Sequence, residues 1–339
     1  MINVRQAKFE EIKMIMDFLR DNWKPDHILA IDRPFFDWMH VDGHKVNYVI
    51  GIDEDARKIY GLEGFIMYNS EEHPDGSGAL WKTIKSDNPL LGVEIHDYIV
   101  KNLGLRYSVG IGLNKTSQKI RKLMNGEDSV ARMARYYRLG KKDVFRIASV
   151  KNKAWPECRN IESSFTELKT IDEFKTAISV DELKAYVPYK DYAYISHRYY
   201  DHPIYSYRFL QLCIDEERVT SVFVVRKVSV GEECAIKIVD YFGDEKYIAE
   251  SGKAVDSLLE EYGAEYIDLY THGVDKAIVL EAGFMEGTED DENVIPNYFE
   301  PFEQRNIDVY VGEIEHKGVK VRMFRGDGDM DRPSIRPKI

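Results

Sequence analysis

The 339-residue chain has only three cysteines, Cys158, Cys213 and Cys234, which are odd in number and widely spaced. This pattern indicates buried thiols in a reducing compartment, and it excludes a disulfide framework or a cysteine zinc site. No window approaches the roughly 18 consecutive apolar residues that a membrane-spanning helix needs. The segment 1–11 contains charged side chains throughout and does not resemble a signal peptide. These absences predict a soluble, cytoplasmic protein.

Basic residues are also in deficit. There are 47 Lys and Arg against 59 Asp and Glu, giving a formal net charge of −12. Such a balance speaks against sequence-independent nucleic-acid binding, which requires a basic face. A local basic pocket for a phosphorylated small molecule is still compatible with it. The hydrophobic fraction of 44% is high enough for packed cores and excludes a disordered chain.

Several catalytic signatures are missing from the sequence. There is no Gly-x-Ser-x-Gly elbow, no Walker loop, no His-Glu-x-x-His and no Cys-x-x-Cys, so nucleophilic hydrolases, P-loop enzymes and zinc enzymes have no support. Asp327, Asp329 and Asp331 alternate with glycines like the start of a calcium loop, but the glutamate that should follow is absent. We therefore predict no metal site.

The length predicts two domains, and the apolar patterning places their boundary near residue 155, giving domains 1–154 and 155–339. The first half is predicted to contain helices over 9–19, 91–102 and 115–124, with strands over 46–52, 59–68, 79–84, 107–113, 131–139 and 144–150. The second half is predicted to contain helices over 172–178, 245–261 and 275–282, with strands over 207–214, 219–228, 234–241, 266–270, 307–312 and 319–324.

The two halves repeat the same order of elements. Residues 104–114 align with 263–273 without a gap, which places Tyr107 over Tyr266, and the following 115–125 falls on 274–284. Sequence identity is low, but the strand–turn–helix pattern agrees. We interpret this repeat as an internal duplication.

Each half is predicted to contain, in this order, a strand, a helix, antiparallel strands, a helix, a strand, a helix and further strands. That order resembles the Gcn5-related N-acetyltransferase (GNAT) fold, and Ala282-Gly283-Phe284 resembles that family's helix ending. Further strings, notably His197-Arg198-Tyr199 and His202-Pro203-Ile204-Tyr205, resemble tandem GNAT-like proteins associated with bacterial surface-polysaccharide biosynthesis. The resemblance implies an α/β (α+β) class: two tandem GNAT-like domains, each a mixed, mostly antiparallel sheet flanked by helices.

The resemblance also implies an acyl-coenzyme A cofactor, acetyl-CoA or another acyl-CoA, with its pyrophosphate at the start of the helix that follows the fourth strand. Unpaired N–H groups and the helix dipole favour an anion there. In the first half the corresponding loop keeps one glycine of the family pattern, and in the second half Asp244 and Glu245 occupy it. We therefore expect the cofactor in the first half. The candidate binding residues are Lys85, Ser86, Asn88, Leu91, Gly92 and Asn114. For Ser86, Asn88 and Asn114, plain helix capping is the alternative reading.

Members of the family often carry a tyrosine on the helix after the fifth strand, placed to protonate the leaving thiolate. The matching positions here are roughly Arg121 and Leu280. Arginine can stabilise an anion but cannot donate its proton at physiological pH.

The densest cluster of aromatic and titratable groups lies between 189 and 207. We predict His197 and Arg198 as substrate-binding residues, and His202, Tyr205 and Asp240 as catalytic residues. The alternatives are a tyrosine-rich segment packed on the second sheet and, for Asp240, a helix cap.

The leading functional prediction is acetyl transfer to an amine or hydroxyl of a sugar or nucleotide-sugar precursor of a surface glycan. Two alternatives stay open. One is a non-catalytic ligand-binding protein with degenerate domains, and the other is an aminoacyl-tRNA-dependent transferase of cell-wall synthesis. The sequence does not fix the oligomeric state.

Overall fold

A computed structural model of the chain describes residues 1–313 and 320–335. In the first half its helices are α1 (Ile12–Asn22), α2 (Ile28–Ile31), α3 (Arg33–His40), α4 (Leu91–Asn102) and α5 (Lys115–Asn125). The strands are β1 (Ile2–Gln6), β2 (Val41–Asp42), β3 (Lys45–Val46), β4 (Tyr48–Asp53), β5 (Lys58–Met67), β6 (Asp75–Thr83), β7 (Tyr107–Ile111), β8 (Val130–Arg132) and β9 (Ala134–Leu139).

In the second half the helices are α6 (Ile171–Ala177), α7 (Val180–Lys184), α8 (Tyr192–Ile195), α9 (Gly252–Tyr262) and α10 (Lys276–Glu281). The strands are β10 (Ser163–Leu168), β11 (Arg208–Ile214), β12 (Glu217–Val230), β13 (Glu233–Gly243), β14 (Tyr266–His272), β15 (Met285–Gly287), β16 (Tyr298–Phe299), β17 (Phe302–Glu303), β18 (Tyr310–Glu313) and β19 (Met323–Phe324).

Within the described residues, the first sheet contains seven strands in the order β1-β4-β5-β6-β7-β18-β8. Its pairings are antiparallel from β1 to β6, whereas β6 and β7 run parallel. Helix α4 provides the crossover that a parallel pair requires. The apolar face of α4 presents Leu91, Ile95 and Ile99, which are buried against Val49 and Phe65 of the sheet.

The described part of the second sheet has the order β10-β11-β12-β13-β14-β9-β15, and β19 also pairs with β14. Again the strands are antiparallel except for one parallel pair, β13 and β14, which α9 connects. Val255, Leu258 and Leu259 of α9 are buried in the core on one face of this sheet. The fold class is thus the predicted one, with two mixed, mostly antiparallel sheets flanked by helices. The repeated order of elements around β7 and β14 is present in both.

The chain forms two compact units that both draw on its C-terminal region. The first contains 1–131 with 311–313 and 328–335, and the second contains 132–310 with 320–327 among the described residues. Residues 132–154, which the sequence analysis assigned to the first domain, belong to the second unit because β9 pairs along its length with β14.

Several predicted elements differ from the structure. The strand predicted over 131–139 is two strands, β8 and β9, which belong to different sheets. The strand predicted over 144–150 is a loop, because the backbone N–H groups of Arg146, Ile147 and Ala148 donate to the buried carboxylate of Glu265 and not to a neighbouring strand. The helix predicted over 245–261 is a 3-10 segment, Glu245–Glu250, followed by α9. Of the strand predicted over 319–324, residue 319 lies outside the described residues and β19 covers the last two positions.

Among residues 1–313 and 320–335, no helix is both long and apolar enough to cross a membrane. Cys213 and Cys234 are buried free thiols as predicted, and Cys158 is half-buried.

Candidate active site

The central feature of the first unit is the place where its two parallel strands part. Strands β6 and β7 pair from Asp75 with Tyr107 to Gly78 with Gly110. Beyond Gly78, strand β6 continues for another five residues, to Thr83. The strands therefore pair at one end and open at the other. We call this opening the first cleft.

Strand β6 is bulged at the apex of the first cleft. Its pairing with β5 shifts between Glu63–Trp81 and Phe65–Gly78, so Ala79 and Leu80 together face the single residue Gly64. A bulge leaves an extra residue outside the ladder and redirects its backbone groups. The first cleft thus presents irregular backbone at its closed end.

At the open end lies the loop that leads into α4. Helix α4 starts at Leu91, and its N-cap residue Leu90 provides no side-chain cap. The N–H of Leu91 donates to the Asn88 carbonyl at 3.3 Å, so the next N–H groups, those of Gly92 and Val93, keep their capacity for an anion. Ser86 and Asn88 bond to each other within the loop, and Asn88 also bonds to Glu94. The loop, including Lys85, lines a surface cavity of about 650 Å³ together with Lys58 and Tyr60 of β5, the neighbour of β6 on the side away from β7. Asp53 and Asp87 line the same cavity, so its charge is mixed.

The remaining predicted cofactor residues have identifiable structural partners. The Leu91 side chain is buried against Gly51 and Gly61 of the sheet, so only its backbone can face a ligand. A Cβ atom on Gly92 would be in ordinary van der Waals contact with Trp81, 3.5 Å from its ring. The Asn114 side chain accepts hydrogen bonds from the backbone N–H groups of Thr116 and Ser117, which caps α5. The cofactor role of these residues stays a prediction.

A buried cluster of Glu63, His96 and Arg121 lies on the face of the first sheet that α4 covers, near the closed end of the first cleft. The imidazole of His96 contacts both carboxylate oxygens of Glu63 at 3.1 Å, and its ring stacks on Trp81. Arg121 lies on the same face, where burial lowers the pKa of its guanidinium while the nearby Glu63 opposes that shift. Its one described side-chain hydrogen bond is a long one, 3.4 Å, to the carbonyl oxygen of Gly312.

Arg121 fits there because three neighbouring strands have glycine at one register. Gly78 pairs with Gly110, and Gly110 pairs with Gly312. A Cβ atom on Gly110 would lie 2.7 Å from Nη2 of Arg121, and one on Gly312 would lie 2.4 Å from its Cδ. We call these residues the glycine row. The sequence analysis found Arg121 but not the row, because register between distant strands leaves no local signal.

The second unit has a corresponding cleft, but it is filled. Strands β13 and β14 pair from Ile236 with Ile267 to Ile238 with Leu269, and β13 is bulged at Val239. We call the segment 320–327 the C-terminal strap. Its residues Met323 and Phe324 pair with the end of β14, and the N–H group of Gly326 donates to the carbonyl oxygen of Val239 at 2.7 Å. The strap therefore bonds to both parting strands.

Charged side chains fix the strap in this second cleft. Arg322 donates to the Gly243 carbonyl at 2.7 Å, and Arg325 pairs with Asp268 at 3.2 Å. Asp327 shares the ammonium group of Lys190 with Asp240, at 3.0 Å and 2.6 Å respectively. Burial raises the pKa of Asp327 to about 6, with Lys190 opposing the shift and Asp240 reinforcing it.

The predicted catalytic Asp240 is the centre of this buried group. It is inaccessible to solvent, accepts two short bonds from Lys190 and accepts a third from the Tyr199 hydroxyl at 2.7 Å. Burial alone would lower the pKa of Lys190, but Asp240 and Asp327 outweigh it and raise that pKa. These hydrogen bonds hold the Asp240 carboxylate in place, and the carboxylate does not face an open pocket.

The other residues of the predicted acceptor cluster also have partners in the second unit. Nδ1 of His202 accepts from the N–H groups of Ile204 and Tyr205, and the Tyr205 hydroxyl donates to Glu300 at 2.9 Å. Arg198 is buried and donates to the Tyr207 hydroxyl, whereas His197 is exposed. Their catalytic and substrate-binding roles stay predictions. In the described part of the chain, no group of three or more potential ligands is arranged for a metal ion.

Comparison with solved structures identifies the fold. A conserved protein from Enterococcus faecalis V583, described as a probable N-acyltransferase, matches 93% of this chain and 73% of its own at 9% identity, with a TM-score of 0.54. A GCN5-related N-acetyltransferase from Anabaena variabilis matches 92% of this chain and 72% of its own at 6% identity, with a TM-score of 0.51. The chain has the GNAT fold. At these identities the likeness concerns architecture alone.

No protein-family model matches the sequence, and no curated protein matches it either. The fold comparison therefore supports the GNAT-like part of the sequence resemblance. The association with surface-polysaccharide biosynthesis stays a prediction.

Proposed function

We propose that this protein is an acyl-CoA-dependent acyltransferase that uses the first cleft for its acyl donor. The observation that carries the proposal is the parting of β6 and β7 beside the uncapped start of α4. An extended ligand that ends in phosphates matches such a site, because one end meets irregular strand backbone and the other meets a helix N-terminus. Similarity in fold to an N-acetyltransferase supports the same reaction class.

The second cleft is a poor candidate for the donor. The strap already bonds to the bulge carbonyl of Val239 and to the end of β14. Displacing it would separate buried ion pairs at Arg325 and Asp327, and an unpaired buried charge is costly. We therefore assign one donor site to each chain.

The residues of the first unit suggest a division of roles. An acyl thioester supplies an electrophilic carbonyl carbon when it is bound. Backbone N–H groups at the bulge of Ala79 and Leu80 would polarise that carbonyl. Arg121 would stabilise negative charge through its fixed positive charge, and it would not act as an acid. Lys85 and the first N–H groups of α4 would hold the phosphates.

The acceptor is proposed as a neutral amine or hydroxyl on a sugar or nucleotide sugar. This finer proposal rests on the resemblance of the chain to tandem proteins of glycan biosynthesis. The acceptor nitrogen or oxygen would form a bond to the carbonyl carbon as the carbon–sulfur bond breaks, and CoA would leave as a thiolate that takes up the proton the acceptor loses. Such a transfer needs the reacting groups oriented within van der Waals distance, which removes part of the entropic barrier.

Calorimetric titration with acetyl-CoA tests both the activity class and the choice of cleft. We expect one equivalent per chain, with affinity lowered about tenfold or more by Lys85→Glu because that change reverses a charge at the phosphate end. Lys320→Glu is the matched control, since Lys320 pairs with Glu245 in the second unit. Absence of binding, or a loss caused by Lys320→Glu alone, would contradict the proposal.

A further inference from the structure

Two buried polar side chains lie on the other face of the first sheet, away from α4. His40, at the end of α3, and Tyr48, at the start of β4, are both inaccessible to solvent. Their rings meet edge to face with centroids 4.7 Å apart, and Phe36 stacks on Tyr48. We call these two residues the His40–Tyr48 pair.

The His40–Tyr48 pair packs against β5, the strand that pairs with the bulged part of β6. A Cβ atom on Gly64 would be 2.9 Å from Cζ of Tyr48 and 3.2 Å from Cε1 of His40. Gly64 is the residue opposite Ala79 and Leu80 in the pairing of β5 with β6. The pair is therefore one strand away from the closed end of the first cleft.

Both side chains have unused hydrogen-bonding capacity. Among the residues that the structure describes, the Tyr48 hydroxyl and both ring nitrogens of His40 have no hydrogen-bond partner. The backbone of Phe65 is a weak partner of the imidazole: it opposes the lowering of the His40 pKa, but it does not meet the distance and angle of a regular hydrogen bond to either nitrogen. Leaving a buried polar atom unpaired costs on the order of 1–3 kcal/mol. Three such atoms in one contact call for a polar group from outside the described residues, which a water molecule or a ligand can supply.

The chemistry of the missing group follows from what the pair offers. A neutral imidazole has one donor and one acceptor, and a phenol hydroxyl can donate and accept. Burial keeps the imidazole neutral, because it lowers the pKa of His40 to about 3, with the positive charge of Arg332 adding to the shift. A group that both donates and accepts would satisfy the pair, whereas a carboxylate can only accept and an ammonium can only donate.

We propose that the His40–Tyr48 pair binds the nucleophilic group of the acceptor, a neutral amine or hydroxyl, beside the closed end of the first cleft. This inference rests on the proposed function and adds the location and chemical class of the acceptor subsite. It assigns the acceptor contact to the first unit, whereas the sequence analysis placed it around His202.

Tyr48→Phe is a sharp test, because it removes only the hydroxyl. If that hydroxyl serves a ligand, the variant melts at or above the temperature of the unmodified protein. Tyr68→Phe is the matched control, since the buried Tyr68 hydroxyl accepts a hydrogen bond from the Gly328 N–H at 2.7 Å. The control is expected to lower the melting temperature by several degrees.

The second readout is acetyl transfer from acetyl-CoA to glucosamine, followed as release of free CoA. Tyr48→Phe should lower this rate tenfold or more while acetyl-CoA affinity stays unchanged. If the variant melts as low as Tyr68→Phe, or keeps the full rate, the inference is wrong although the proposed function stands. If the unmodified protein does not bind acetyl-CoA, the proposed function fails and the inference fails with it.

Discussion

His202 illustrates how a residue singled out for chemistry can have a structural use. Its Nδ1 accepts two backbone N–H groups, and its ring stacks on Tyr205 with centroids 5.1 Å apart. This is the geometry of a side chain that closes a turn, comparable with helix capping. A neutral imidazole that uses Nδ1 as acceptor keeps its proton on Nε2, which is the wrong tautomer for a base acting through Nε2.

His202→Ala is therefore expected to destabilise the protein by about 1–2 kcal/mol, because two backbone donors lose their acceptor. Chemical denaturation measures the change, and His197→Ala, at an exposed position, is the control. A rate loss of about 100-fold with unchanged stability would instead support His202 as the catalytic base.

At the scale of elements, local patterns predict most of the architecture. The apolar runs of β4 and β5 and the helical periodicity of α4 lie close to their predicted bounds. The loop 144–150 was wrongly predicted as a strand because its sequence is typical of extended structure. In the folded protein the carboxylate of Glu265, distant in sequence, determines where the N–H groups of this loop bond. Local propensity is weak evidence where a tertiary contact satisfies the backbone.

The candidate site was less predictable than the fold. Lys85 and the start of α4 follow from sequence, since helix starts have recognisable signals. The glycine row does not, because it depends on register between strands. The His40–Tyr48 pair does not either, because it depends on how α3 packs against the sheet. Asp240 was predicted as a catalytic residue, but Asp327, which shares Lys190 with it, is far along the chain and no pattern joins the two.

The glycine row makes a prediction about packing. Gly110→Ala should destabilise the protein by about 1–3 kcal/mol, because the new methyl group would displace a buried guanidinium that lies 2.7 Å away. Gly92→Ala is the matched control: it has room on α4, and we expect it to be stabilising by about 0.5–1 kcal/mol through helix propensity. Equal effects at both positions, measured by urea unfolding, would show that the row does not constrain Arg121.

For the whole molecule, buried imidazoles link stability to pH. Burial lowers the pKa of His27 to about 2 and that of His40 to about 3, and Arg332 contributes to both shifts. The unfolded chain binds these protons near pH 6.5, so their contribution to stability is complete above that pH. It is lost as the pH falls toward 3.

We therefore expect the free energy of unfolding to fall with acidity below about pH 6.5, by up to about 1.4 kcal/mol per pH unit for each of these histidines. His40→Phe should remove the contribution of His40, so that the free energy of unfolding depends less steeply on pH between about pH 4 and 6. Denaturation at a series of pH values measures this, and an unchanged slope would mean that His40 is solvated in the folded state.

The order of the chain in the two units has a consequence for biosynthesis. Strand β18 pairs with β7, and the N–H of Gly328 bonds to Tyr68 at a separation of 260 residues. The first unit is thus completed only after residues 132–310 of the second unit have been synthesised, since its strand β18 and the segment 328–335 follow them in the chain. Until then β7 has an unpaired edge, which is a site for association with other chains. Cutting the gene at a single point would not separate the units, because the first unit contains residues from both sides of 132–310.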